Sequence, residues 1–67
     1  MATFREANQV RISLKIKLSM HAWYSSSAVA STDDGYYVII HVSRLDNQIR
    51  KIISPVINGV SVKTELE

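Results

Sequence analysis

The sequence predicts a small α+β domain, with one sheet of three to four strands and one amphipathic helix packed on one face. Three observations carry that expectation. Val10, Ile12, Leu14, Ile16 and Leu18 alternate with Arg11, Ser13, Lys15, Lys17 and Ser19, which is the period of a strand with one buried face. Tyr36-Tyr37-Val38-Ile39-Ile40-His41-Val42 is rich in β-branched and aromatic residues and does not alternate. Leu45, Ile49, Ile52 and Ile53 fall at i, i+4, i+7 and i+8, the stripe of an amphipathic helix.

The chain of 67 residues sets the scale at one domain. A domain of that size buries only about 60% of its unfolded surface, so little stability is held in reserve. A hydrophobic content of 46% and a formal net charge of +2 are ordinary for a folded protein and argue against disorder. The chain contains no cysteine, which excludes disulfide frameworks, thiolate metal sites and cysteine nucleophiles. That absence and the lack of an apolar leader point to a cytoplasmic protein with no membrane attachment.

In chain order, residues 1–9 are mixed and polar and are expected to form a flexible N-terminal arm, with residues 10–65 as the folded domain. Leu66 and Glu67 look like a cloning scar and are set outside the fold. Val10 to Ser19 is the first strand. Residues 20–27 suit a turn or a single helical turn around 20–24, with Ser19 as a possible cap. Ala28 to Thr32 is a short strand. Asp33-Asp34-Gly35 then supplies a hairpin turn in which glycine takes the positive φ, and Tyr36 to Val42 is the returning strand. The helix runs from about Leu45 to Ser54, capped by Ser43 or Asp46 and stopped by Pro55. Asn58-Gly59 makes a turn, and Val60, Val62 and Thr64 alternate with Ser61, Lys63 and Glu65 in a last strand. The order is β-β-β-α-β, or the ferredoxin-like β-α-β-β-α-β if residues 20–26 are helical.

Two candidate surfaces follow. The Tyr36–Val42 strand is apolar on both sides, Val38, Ile40 and Val42 on one and Tyr37, Ile39 and His41 on the other. A ten-residue helix is about 15 Å long and about 10 Å wide, and it covers only about half of one face of a four-stranded sheet roughly 19 Å across. The uncovered side is therefore expected to self-associate, as a homodimer, or to dock on a protein partner, through Tyr37, Ile39 and His41 with Trp23 as an anchor; the competing readings are that Trp23, Tyr24 and the N-terminal arm fold over that side, and that Trp23 packs in the core. The alternative is a nucleic-acid interface on the polar face of the first strand, formed by Arg11, Lys15 and Lys17 with Lys63 beside them. Neither catalysis nor a cofactor or metal is expected. The histidines, His21 and His41, stand apart, Asp33 and Asp34 are turn formers, and the two glycines cannot build a phosphate-binding loop. A Ser-His-Asp set can be drawn from Ser25–Ser27, His41 and Asp33, but no spacing supports it.

Overall fold

The computed structural model describes residues 2–67. Its elements are α1 (Phe4–Leu18), β1 (Tyr24–Thr32), β2 (Gly35–Val42), α2 (Asn47–Ile52), β3 (Val56–Ile57) and β4 (Val60–Leu66). The four strands form one sheet in the order β1-β2-β4-β3. The α+β class holds, but its largest helix comes from the segment expected to be an arm followed by a strand.

Residues 4–9 and 10–18 form a single helix because of a start signal and a spacing hidden inside the alternation. Thr3 and Glu6 make a capping box. The Glu6 N–H donates to the Thr3 hydroxyl at 3.2 Å, and the Thr3 N–H donates to Glu6 Oε1 at 3.0 Å. These bonds favour the ionised carboxylate and hold the Glu6 pKa below its usual value. A period-2 run also contains every fourth residue. Ala7, Val10, Leu14 and Leu18, spaced by three, four and four, are the buried face of α1. Ile12 and Ile16, from the same run, are 43% and 71% exposed. The helix is about 22 Å long, enough to run most of the length of an eight-residue strand.

Residues 19–23 are a turn rather than a helix, so the ferredoxin-like order is not adopted. The Ser43 N–H donates to the Trp23 carbonyl at 2.9 Å, and the Trp23 ring stacks on His21 with centroids 4.7 Å apart. β1 starts at Tyr24, four residues earlier than expected, and runs antiparallel to β2 with an irregularity between Tyr24 and Ser26. The hairpin turn is Asp33-Asp34, and Gly35 has the positive φ of 125° expected of it. The helix after β2 is shorter than read, Asn47–Ile52, and Asp46 rather than Ser43 caps it by accepting from the Ile49 N–H at 3.0 Å.

β4 pairs parallel with β2, Val38 beside Val62 and Val42 beside Leu66. The two residues set outside the fold are thus part of it, since Leu66 ends β4 and the Glu67 N–H donates to the Val42 carbonyl at 2.8 Å. Val56 and Ile57, expected in a loop, pair with β4 across the Asn58-Gly59 turn, whose φ values of 51° and 78° are both positive, as a type I′ turn needs.

One core lies between α1, α2 and the sheet, containing Leu14, Leu18, Trp23, Val38, Ile40, Val42, Ile49, Ile53, Val60 and Val62 among its members. Leu18, Ile40, Ile49, Val38, Val42 and Val60 are completely enclosed. Each full burial contributes roughly 1.5–3 kcal/mol, before the entropy cost of ordering the chain. Every buried strand residue faces this core. The opposite face of the sheet carries none.

Candidate functional site

Strand alternation and register fix what the uncovered face displays. Tyr37, Ile39 and His41 of β2 point to it. Ala30, Ala28 and Ser26 of β1 stand directly beside them, and Lys63 and Glu65 of β4 flank Ile39 and His41 on the other side. Val56, 56% exposed, lies beside Ser61 on the same face. The centre is apolar, built from Tyr37, Ile39 and two alanines too small to roughen the surface. The rim is polar, formed by Ser26, His41, Glu65, Lys63 and Ser61. That arrangement has the anatomy of a contact surface. Tyr37, Ile39 and His41 are half-buried. Lys63 and Glu65 form an ion pair at 3.5 Å on the rim.

Three of the four residues expected at an interface therefore share one face. The fourth does not. Trp23 is in the core at 8% exposure, its ring stacked on His21 and its carbonyl bonded by the Ser43 N–H, and cannot anchor a partner on the open face without leaving the core.

The basic constellation separates, because Arg11, Lys15 and Lys17 sit on α1 and only Lys63 is on a strand, β4. Arg11 and Lys15 are one helical turn apart and line a shallow cleft beside Tyr24–Ser27 at the start of β1. The Arg11 guanidinium donates to Asn8 Oδ1 at 3.0 and 3.1 Å. Lys17 is turned about 120° around the helix from Arg11. Lys63 is on the open face, on the far side of the sheet from α1. The four cations make no continuous phosphate track.

The open face brings together one row that the sequence did not suggest. Ser26, His41 and Glu65 are adjacent across β1, β2 and β4. No hydrogen bond joins them, Glu65 is engaged by Lys63, and the row is on an open sheet face with no wall to exclude water. Asp33 and Asp34 lie at the exposed hairpin tip, away from His41. Among the described residues no three His, Asp or Glu side chains gather as metal ligands.

A second apolar feature escaped the sequence reading. Ile12, Ile16 and Met20, spaced by four, form an outward ridge on and just after α1, with Ile16 71% and Met20 82% exposed. The spacing is visible in the sequence, but only once the segment is recognised as helical. Among the described residues no helix is long and apolar enough to cross a membrane. No protein-family model matches the chain, and no curated protein or solved structure is significantly similar to it.

Proposed function

We propose that this is a small non-enzymatic interaction protein that self-associates through the uncovered face of its sheet, with Tyr37 and Ile39 at the centre of the contact and His41 at its edge. The observation that carries the reading is the distribution of cover. Two helices and every buried strand residue lie on one side of the sheet, while the other side has a smooth apolar centre and a polar rim. Closing that face against a second copy removes Ile39 and Tyr37 from water, at roughly 25 cal/mol for each Å2 of apolar surface. A two-fold arrangement lets the same patch serve both partners. The absence of cysteine fits a cytoplasmic setting.

Sedimentation equilibrium of the wild type and of Ile39→Lys tests this reading. The wild type gains mass with concentration in the micromolar range. Ile39→Lys removes the face contact and lowers the assembly by one association step. Equal masses for the two proteins, with Ile39→Lys still folded by circular dichroism, would overturn it.

A further inference from the structure

The two edges of the sheet are protected unequally. β3 ends one side with two residues and has Pro55 immediately before it. β1 ends the other side with nine residues, Tyr-Ser-Ser-Ser-Ala-Val-Ala-Ser-Thr, containing no charge and no proline. Natural edges are usually blunted by lysine, proline or shortness, and β1 has none of these over its length. Its one irregularity lies at the Tyr24–Ser26 end.

The direction of its backbone groups follows from one hydrogen bond. The Tyr36 N–H donates to the Ala2 carbonyl at 3.1 Å and so turns away from β1. Its partner Ser31 therefore belongs to a non-hydrogen-bonded pair with β2. By alternation Ser27, Val29 and Ser31 direct their N–H and C=O groups to the free edge, while Ala28 and Ala30 bond to β2.

We infer that β1 pairs antiparallel with β1 of a second copy about a two-fold axis at Val29, so that two sheets join edge to edge. The inference rests on the interaction reading above and supplies its partner geometry. With Val29 opposite Val29, Ser27 lies opposite Ser31 on both sides, and all the outward groups are used, in about six hydrogen bonds. Charge selects this arrangement. Arg11 and Lys15 flank one end of β1, next to Tyr24–Ser27, together with Glu67, whose carboxylate accepts from the Ser25 hydroxyl, whereas only acids, Asp33 and Asp34, follow its other end. In the antiparallel register, Asp33 and Asp34 of one copy come opposite Ser25 and Tyr24 of the other, beside its Arg11 and Lys15. Parallel pairing would set like charges together.

Joining β1 edges puts two open faces side by side on one continuous sheet. Two such pairs packed by their doubled faces form a tetramer with two-fold axes only.

Amide hydrogen exchange of the full chain over a concentration series tests the inference. The amides of Ser27, Val29 and Ser31 are expected to slow at least tenfold as concentration rises, while those of Ala28 and Ala30 are slow throughout. Val29→Pro removes an outward N–H that β2 does not use, at the cost of the Val29 packing on the core, and with the variant folded by circular dichroism Ser27 and Ser31 lose their concentration dependence. If Val29→Pro does not fold, charge reversal decides. Asp33→Lys with Asp34→Lys weakens association by roughly fivefold, and adding Arg11→Glu with Lys15→Glu restores it. Concentration-independent exchange at all three outward amides overturns edge pairing. So does protection that appears only with an added acidic peptide, which would assign the edge to a different protein. The two contacts fail separately. Ile39→Lys leaves an edge-paired dimer with slowed outward amides, whereas an assembly that Ile39→Lys dissolves while those amides exchange freely retains the face and discards the edge.

Discussion

Replacing Leu14 and Ile16 separately by alanine distinguishes the helix from the strand that the alternation suggests. Leu14 is 5% exposed, held between α1 and the sheet with Val10 and Leu18 on the same stripe. Leucine-to-alanine changes at such sites cost roughly 2–5 kcal/mol, because the rigid neighbours only partly fill the cavity. A domain of this length has roughly 3–10 kcal/mol of total stability, so Leu14→Ala removes a large fraction of it. A loss of about 3 kcal/mol lowers the melting temperature by roughly 12–24 °C. Ile16 is 71% exposed, and its truncation stays within about 0.5 kcal/mol, with the better helix propensity of alanine offsetting part of any loss. Urea denaturation followed by far-ultraviolet circular dichroism measures both at one pH and temperature. A half-buried strand would hold Leu14 and Ile16 on the same inner face, so similar costs for the two substitutions would refute the helical packing.

Three further outcomes follow from local geometry. Asp46→Ala removes the acceptor for the Ile49 N–H and is expected to cost about 1 kcal/mol by chemical denaturation. Gly59→Ala has room for its methyl group, with nothing within 4 Å of the new carbon, so its cost of about 1 kcal/mol comes only from the φ of 78°. Denaturation of this variant should therefore show no additional loss from a steric clash. Glu6 has a depressed pKa in the folded chain, so its contribution is present above the unfolded carboxylate value and is lost as pH falls through the folded value. A pH titration of stability between the wild type and Glu6→Gln should converge at low pH, and parallel curves would show that the capping box does not form.

The central part of the fold was readable because its signals were local. Asp33-Asp34-Gly35 announces a hairpin through the φ that glycine permits, and the structure has Gly35 at 125°. Asn58-Gly59 announces a turn, and Asp46, one of the two caps the sequence offers, marks the helix start. The division of β2 into a Val38, Ile40 and Val42 side and a Tyr37, Ile39 and His41 side follows from pleat geometry alone and matches the burial. The N-terminal third was not readable from alternation, because residues spaced by two include residues spaced by four. Val10, Leu14 and Leu18 satisfy both periods, and only the fate of Ile12 and Ile16 separates them. Thr3 and Glu6 carried the deciding signal, a capping box between the residue before the helix and its third residue. The strand period also gathers Arg11, Lys15 and Lys17 on one strand face with Lys63 beside them, whereas the helix keeps Arg11 and Lys15 together and separates them from Lys17 and Lys63. For Trp23 the sequence offered both core packing and an interface anchor, and the fold puts it in the core at 8% exposure with its ring stacked on His21.

Hydroxyl-radical footprinting over a concentration series compares the two apolar surfaces directly. Tyr37 at the centre of the open sheet face should lose reactivity as the protein associates, while Met20, 82% exposed at the end of the α1 ridge, reacts at a constant rate. Protection of Met20 with Tyr37 unchanged would transfer the contact to the outer side of α1 and contradict the assignment of the sheet face.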